Sequence, residues 1–250
     1  MQDFLTGFTR PLEPQAPLTL YGCVMTQVIA CSTPEGIVLA TDSRATWFDE
    51  TGEKKHFSLK KILRLNSHSA LLSAGAGIGV EMSLAFQNFL QRRGTEGIEA
   101  VVNTALFFFT NRYGKGLVQR ERQPSFSPLT PGETSEEALP LNEVYLILAG
   151  YSFRDRAQPY HLHLFSTEGE KISIKALPTS EIIVVPRSLS MEKRLETQRE
   201  TGSPLDPLLT LCKSFLNRRS GEGEDVGRPF YFATITPFGY KEVIEEEVNG

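Results

Sequence analysis

The chain of 250 residues contains only three cysteines and one tryptophan, and it has no excess of basic residues. Three cysteines cannot form an even disulfide framework, so we expect a reducing compartment and a cytoplasmic protein. A net charge of −4 without a basic stripe argues against nucleic acid as a partner. The longest purely apolar runs, such as residues 105–109, are far too short to cross a bilayer, so we expect no membrane partner.

Several common functional motifs are also missing. The sequence has no Gly-rich phosphate loop, no paired-cysteine zinc spacing and no G-x-S-x-G elbow. His161 and His163 fall on one face of a predicted strand, but no third ligand stands at a suitable spacing. We therefore expect an exposed strand face there, with no metal and no cofactor. Residues 1–10 contain an early acid and no apolar core, which is not the pattern of a secretion signal.

The most informative stretch lies near the N-terminus. Two short apolar, β-branched runs, residues 28–31 and 37–40, flank the turn cluster Thr-Pro-Glu-Gly at 33–36. This pattern predicts a hairpin, in which antiparallel pairing brings Thr26 opposite Asp42–Arg44. A hydroxyl, a carboxylate and a cation then meet at the open end of the hairpin. Taken alone, the stretch is more often an ordinary strand followed by a charged loop.

A second hairpin adds to this arrangement. Residues 60–65 and 70–75 flank the polar turn cluster Asn-Ser-His-Ser at 66–69. The same register argument places Lys61 beside Ala74 and Gly75, again at the open end of the hairpin. Each hairpin therefore predicts polar groups at its open end.

The order of these residues resembles a known family. The chain carries Thr26, then D-S-R-A-T at 42–46, K-K-I at 60–62 and S-A-G at 73–75. This series resembles the proteasome β-type subunits and their bacterial relatives, which are N-terminal-nucleophile hydrolases. The spacing within each hairpin matches that of the family, and the stretch between the hairpins is slightly longer here. The resemblance is strong to about residue 90 and weaker from residue 147 onward.

The resemblance implies an α+β fold, the four-layer αββα sandwich of N-terminal-nucleophile hydrolases, whereas the hydrophobic periodicity alone indicates only α+β. We expect one domain over residues 26–250, preceded by an N-terminal extension or propeptide over residues 1–25. A polar insertion is predicted near residues 115–140. Periodicity predicts helices over 80–93, 95–114, 190–201 and 205–218, and later strands over 143–150, 160–165, 171–176, 181–185 and 230–236.

The resemblance also implies a function. It implies a threonine-dependent peptidase that hydrolyses peptides or unfolded proteins inside a homo-oligomeric ring or stacked arc, with an ATPase unfoldase as a candidate partner. Thr26 is the expected nucleophile, and its α-amine becomes the general base once the Met25–Thr26 bond is cut. Lys61 is expected to lower the pKa of that amine, and Asp42 to hold Lys61 in place. The backbone N–H of Gly75 is expected to donate to the oxyanion.

Four further residues receive roles from the resemblance. Ala45 and Thr46 are expected to pair with an extended substrate as an added strand. Ser73 is expected at the wall of the first specificity pocket, and Ser220 in support of the amine.

The chain departs from the family at two places. It carries Asn217 where the family has an aspartate, and Pro-Arg-Ser-Leu-Ser at 186–190 where the family has a Gly-Ser-Gly-Ser-like turn. Two other functions therefore stay open: a non-catalytic scaffolding subunit, and an amidase for small molecules. Cys23 is a competing nucleophile, but it falls on the opposite strand face from Thr26, and a small buried residue is the more common explanation.

Overall fold

The computed structural model describes residues 26–48, 54–121, 143–167, 173–223 and 225–248. These residues form twelve β-strands and four α-helices. The strands are β1 (Val28–Thr33), β2 (Gly36–Thr41), β3 (Arg44–Phe48), β4 (Lys54–Ser58), β5 (Ile62–Asn66), β6 (Ser69–Gly75), β7 (Val144–Tyr151), β8 (Tyr160–Ser166), β9 (Lys175–Ala176), β10 (Ile182–Val185), β11 (Tyr231–Thr236) and β12 (Gly239–Val243). The helices are α1 (Ile78–Arg93), α2 (Ile98–Glu121), α3 (Leu189–Glu200) and α4 (Leu205–Glu222).

The strands form three antiparallel sheets. The first sheet has the order β10-β1-β2-β11-β12, the second has the order β5-β6-β7-β8-β9, and β3 and β4 form a two-stranded sheet of their own. Strands β1 and β2 lie inside the first sheet, and all their residues are buried. Their β-branched and apolar composition is typical of strands covered on both faces.

Both predicted hairpins are confirmed. Strand β1 pairs with β2, with Val28 opposite Thr41, and β5 pairs with β6, with Ile62 opposite Leu72. In the first turn, the hydroxyl oxygen of Thr33 accepts the Glu35 N–H at 3.2 Å, which is the local bond that such turn residues form. The first hairpin has the predicted register, with Thr26 across from residues 42–44. In the second hairpin an irregularity between Arg64 and Asn66 shifts the register, so Lys61 lies opposite Ser73 and not, as predicted, beside Ala74 and Gly75.

The predicted four-layer αββα sandwich is wrong. The described residues form twelve strands in three antiparallel sheets and only four helices, so this part of the chain is mostly β. Residues 44–48 and 54–58, for which no element is predicted from the sequence, form the third sheet. The four-layer arrangement was predicted from the family resemblance alone. That resemblance rests on short motifs, which give no information about additional strands in the segments between the motifs.

Two element boundaries also differ from the sequence prediction. Helix α2 continues to Glu121, beyond its predicted end near residue 114, so the first residues of the predicted insertion are helical. The rest of that insertion, residues 122–142, lies outside the described residues, as does the predicted N-terminal extension over residues 1–25. The strand predicted over 171–176 is reduced to β9, while 171–172 are not described.

Three hydrophobic clusters hold the described elements together. Helices α1 and α2 pack on the second sheet through large side chains such as Phe86 and Phe109, and α3 and α4 pack on the first sheet through Leu195 and Phe215. A third cluster fills the space between the two five-stranded sheets, and its buried residues include those of β1, β2, β6 and β7. This cluster fixes β1 against β6, and thereby fixes the strand ends that carry the site. None of the helices in the described ranges is long and apolar enough to span a membrane.

Candidate active site

Four strand ends converge at one edge of the two large sheets. Thr26 lies just before β1, Asp42 just after β2, Lys61 just before β5, and Gly75 is the last residue of β6. The side chain of Lys61 contacts both Thr26 and Asp42. The structure therefore brings together Thr26, Asp42 and Lys61, as the family resemblance implies.

The Lys61 ammonium is the centre of this cluster. It donates to the Thr26 hydroxyl oxygen at 2.9 Å, to Asp42 Oδ1 at 3.0 Å and to the Arg44 carbonyl oxygen at 2.6 Å. An ammonium group has three N–H donors, so all of them are used. Only 4 % of the Lys61 side chain is exposed, and the Asp42 side chain is fully buried. The lysine is therefore a fixed positive charge beside a hydroxyl, and not a solvated strand end.

The Asp42 carboxylate is held by backbone groups from three parts of the chain. Its Oδ1 accepts the Gln27 N–H at 3.1 Å in addition to Lys61. Its Oδ2 accepts the N–H of Arg44 at 2.9 Å and the N–H of Gly227 at 3.3 Å. A buried carboxylate needs such partners, since an unpaired buried charge is strongly destabilising. Asp42 therefore orients Lys61 from a rigid position.

Burial acts on the pKa values of both partners. It lowers the pKa of Lys61 below the ordinary 10.5, while the attraction of Asp42 acts in the opposite direction. Burial also raises the pKa of Asp42, against the attraction of Lys61 and the N–H donors of Gly227 and Arg44. The ammonium is therefore a stronger acid than an exposed lysine, and it depends on Asp42 to keep its proton.

Gly75 occupies a position that only glycine fits. Its φ is +83°, and a Cβ atom would overlap the carbonyl oxygen of Glu143. Ser73 donates its N–H to the Lys61 carbonyl oxygen at 3.2 Å, whereas Ala76 donates to Glu143 on the other side at 2.7 Å. Because alternate residues of a strand direct their N–H groups to the same side, the Gly75 N–H points to the Lys61 side. If the pairing of β5 with β6 continued, Leu59 would lie opposite Gly75. The Leu59 N–H instead donates to the Ser43 carbonyl oxygen at 2.8 Å, so this pairing does not continue to Gly75.

The Gly75 N–H therefore faces a cleft in front of Thr26. The cleft is small and opens to solvent. Its lining includes six of the predicted site residues: Thr26, Ala45, Thr46, Lys61, Ser73 and Gly75. Asp42 is a seventh member of the cluster and lies behind Lys61. Apart from Lys61, the remaining wall is apolar or small, and it consists of Phe57, Leu59, Ala74, Ala76, Gly77 and Val80.

One predicted site residue stands apart from the cleft. Ser220 lies in the last turn of α4, partly exposed, and it is not among the residues that line the cleft. Asn217 on the same helix accepts a hydrogen bond from the Arg228 guanidinium at the protein surface. The sequence predicts that this helix ends at residue 218, before Ser220. Because α4 continues to Glu222, Ser220 is held within the helix instead.

The remaining candidates from the sequence are Cys23 and the pair His161 and His163. Cys23 lies outside the described residues. His161 and His163 share one strand face as expected, but both are half-buried rather than exposed, because their rings stack with centroids 6.0 Å apart. Burial lowers the pKa of His163, and His161 adds to this effect. Within the described ranges, no group of three or more His, Cys, Asp or Glu residues is arranged to hold a metal ion.

Sequence analysis missed two residues that contact the cluster. Gly227 donates its N–H to Asp42, and its carbonyl oxygen accepts the N–H of Ser43 at 3.1 Å. A Cβ atom at Gly227 would overlap the Arg44 side chain. Gln27 binds Asp42 through its backbone and is almost fully buried. A glutamine between the predicted nucleophile and an apolar strand pattern is a signal that the sequence does contain, whereas nothing local marks Gly227 among the other glycines.

Comparison of the sequence with models of protein families and with curated proteins found no match.

Proposed function

We propose that this protein is a threonine-dependent peptidase of the proteasome β-type, N-terminal-nucleophile class, in which Thr26 attacks the scissile amide. The observation that carries the proposal is the buried contact of 2.9 Å between the Lys61 ammonium and the Thr26 hydroxyl, beside an open cleft. A buried lysine that contacts a hydroxyl, is paired to a carboxylate and has a perturbed pKa is typical of a functional site. A purely structural ion pair has no need of the cleft.

The reaction requires a free α-amine on Thr26. After the Met25–Thr26 bond is cut, that amine takes the hydroxyl proton while the Thr26 oxygen bonds to the carbonyl carbon of the substrate. The protonated amine then gives its proton to the leaving amine, and an ester with Thr26 remains. A water molecule, deprotonated by the same amine, hydrolyses the ester and restores the hydroxyl.

Lys61 and Gly75 stabilise the charges that develop during this reaction. The Lys61 ammonium lies next to the attacking oxygen, where it favours alkoxide character and lowers the pKa of the nearby amine. The Gly75 N–H faces the same cleft and is placed to donate to the carbonyl oxygen as it becomes negative. A single donor of this kind is typically worth about 3 kcal/mol of transition-state stabilisation.

The edge of β3 supports an extended peptide as substrate. Leu59 donates to Ser43 across the β3–β4 ladder, so Ala45, two residues further, also directs its N–H and C=O groups to β4. Thr46 directs its backbone groups the other way, towards the same edge where Arg44 meets Lys61 and Asp42. A peptide in the cleft can therefore pair with the Thr46 backbone as an added strand, with Ala45 and Ser73 on the cleft wall.

The non-catalytic scaffold remains the second candidate function. Ser220 does not line the cleft, and Asn217 binds Arg228 at the surface, so the support that the family places near the amine comes from elsewhere or is missing. A scaffold, however, gains nothing from a buried lysine next to a hydroxyl. A small-molecule amidase on the same site is distinguished from the peptidase by its substrates.

Hydrolysis of blocked fluorogenic peptides of one to four residues tests these three functions. If the Thr46 edge binds substrate, kcat/KM rises with each added residue that pairs with it. Equal rates for a small amide and for the tetrapeptide would indicate the amidase. No turnover of any substrate by protein that begins at Thr26 would indicate the scaffold and would overturn the peptidase proposal.

We expect a bell-shaped dependence of kcat/KM on pH. The acid limb reports the Thr26 amine, which must be neutral and whose ordinary pKa is about 7.7–8.0. The alkaline limb reports Lys61, which must be charged; burial lowers its pKa, so activity falls below the pH at which an exposed lysine titrates. Asp42→Asn removes the charge that opposes this effect, so the alkaline limb moves to lower pH. If the alkaline limb of Asp42→Asn stays at the wild-type pH, the titration of Lys61 does not determine that limb.

We also propose that the protein acts as a homo-oligomer in a ring or stacked arc, with an ATPase unfoldase as the class of partner that supplies unfolded chains. The support is an uncharged outer face on α2: residues 100–111 contain no charged side chain, and Phe107 is 76 % exposed. Leu106 on the same helix and Leu84 on α1 are also exposed. An exposed apolar surface of this kind is typical of an interface.

Light scattering measures this assembly directly. For a chain of 27.9 kDa we expect a species well above the dimer, and Phe107→Asp should shift it to smaller species because the charge is buried on assembly. Phe238→Asp is the control, since Phe238 is even more exposed than Phe107 but lies on the β11–β12 turn. A wild-type monomer at micromolar concentration would contradict both the peptidase in a ring or stacked arc and the scaffolding subunit.

A further inference from the structure

Gln27 follows the proposed nucleophile directly and lies outside the regular ladder of β1. It is 2 % exposed, and the first paired residue of β1 is Val28. On the β2 side, the backbone of Gln27 binds Asp42 twice: its N–H donates to Oδ1 at 3.1 Å, and its carbonyl oxygen accepts the Asp42 N–H at 3.2 Å. This side of the chain is therefore fixed to the residue that orients Lys61.

The side chain of Gln27 fixes the other side of the chain. Its Nε2 group donates to the carbonyl oxygen of Val185 at 3.2 Å and to that of Pro186 at 3.3 Å. Strand β10 pairs with β1 up to Val28 and Val185, and it ends there because Pro186 has no N–H to continue the ladder. The Gln27 amide binds the two carbonyl oxygens at the point where the ladder stops.

The two sets of contacts form a clamp directly beside Thr26. The clamp reaches from β2 to β10, and it consists of Gln27 with Asp42 on one side and the 185–186 carbonyl groups on the other. Because Gln27 is joined to Thr26 by a peptide bond, the position of the Thr26 hydroxyl relative to the Lys61 ammonium depends on how Gln27 is held.

We propose that Gln27 is a positioning residue, whose side-chain amide holds Thr26 in the geometry that the attack requires. The inference rests on the proposed peptidase function. It goes beyond that function, because it assigns to Gln27 and the 185–186 carbonyl groups the support that Ser220 and Asn217 do not provide in this chain. Gln27 itself does not line the cleft, so it acts on the reaction only through Thr26 and Asp42.

The test is the steady-state kinetics of Gln27→Met, which keeps the length of the side chain but removes both donors. A misplacement of reacting groups by about 1 Å can cost about 100-fold in rate, so we expect kcat to fall by about 10- to 100-fold. KM should stay within about twofold, since the cleft wall is unchanged. Rates are expressed per active site, by titration with an irreversible peptide electrophile, so that unfolded or unprocessed protein does not count.

Gln87→Met is the matched control. The Gln87 amide also donates to a backbone carbonyl oxygen, that of Arg64, but on the surface of α1 and away from the cleft. We expect its kcat and KM to equal those of the wild type. If Gln27→Met yields too little folded protein, Gln27→Asn provides the same test, because its amide is one methylene group too short to reach both carbonyl oxygens.

The outcomes separate the inference from the proposed function. An active wild type with a lowered kcat in the Gln27 variants supports the positioning role. An active wild type whose Gln27 variants keep the wild-type kcat per active site, even with a lower melting temperature, overturns the inference and leaves the peptidase intact. A wild type that begins at Thr26 and is inactive on every peptide overturns the proposed function, and the inference with it.

Discussion

Lys61→Ala should lower the turnover of fluorogenic peptides by about 1,000-fold or more. The substitution removes a charge that contacts the Thr26 hydroxyl, and both side chains are almost fully buried. Loss of one preorganised electrostatic group of this kind commonly costs about 100- to 1,000-fold in kcat, and Lys61 also sets the pKa of the base. The expected change is mainly in kcat, measured with saturating peptide.

The neighbouring lysine provides a matched control. The Lys60 side chain is partly exposed and pairs with Glu242 at the surface, so Lys60→Ala should leave turnover unchanged. Lys61→Ala also leaves the buried Asp42 carboxylate without its counter-ion, which typically costs about 3–5 kcal/mol, so circular dichroism must confirm the fold. If that variant does not fold, Lys61→Arg keeps the charge but not the compact ammonium, and it should also be nearly inactive. Wild-type turnover in either folded variant would show that Lys61 is only structural.

Thr26→Ala should abolish turnover altogether. Without the hydroxyl oxygen no ester forms, and the Met25–Thr26 bond, if the protein cuts it by the same chemistry, should remain intact. The fold should survive, because the Lys61 ammonium keeps its bonds to Asp42 and to the Arg44 carbonyl oxygen. Thr26→Ser, which keeps a hydroxyl, should retain measurable activity.

Thr197→Ala is the control for this series. Thr197 is a surface threonine on α3 whose hydroxyl binds the Lys193 carbonyl oxygen, remote from the cleft. Its loss should change neither turnover nor processing. Peptide hydrolysis by Thr26→Ala at a rate near that of the wild type would move the nucleophile elsewhere, with Cys23 as the first candidate to examine.

The core of the site could be predicted from the sequence because it depends on local rules. In each hairpin a short turn between two apolar runs sets the register, and the register determines which residues face each other at the open end. Counting residues outward from the turn brings Thr26 to Asp42, and it brings Lys61 to the end of β6, to within the one residue by which the irregularity between Arg64 and Asn66 shifts the second hairpin. Only the meeting of the two hairpins needed the family resemblance, and the contact of 2.9 Å between Lys61 and Thr26 bears that meeting out.

The remaining contacts could not be predicted because they join segments that are far apart in sequence. The Gly227 N–H meets Asp42 across a separation of 185 residues, and the Gln27 amide meets Val185 across 158. No local pattern marks such pairs. The sheet formed by β3 and β4 was also missed, since its strands are short and carry polar residues such as Lys55 and His56. Ser220 was misplaced because α4 extends further than its periodicity indicated.

The most direct test of the central claim is the N-terminal sequence of the active protein, together with its intact mass. The proposed mechanism uses the α-amine of Thr26 as general base, and that amine exists only after the Met25–Thr26 bond is cut. We therefore expect protein that hydrolyses peptides to begin at Thr26 and to lack residues 1–25, and we expect Lys61→Ala to retain them. Full activity in protein that keeps Met25 attached to Thr26 would contradict the account.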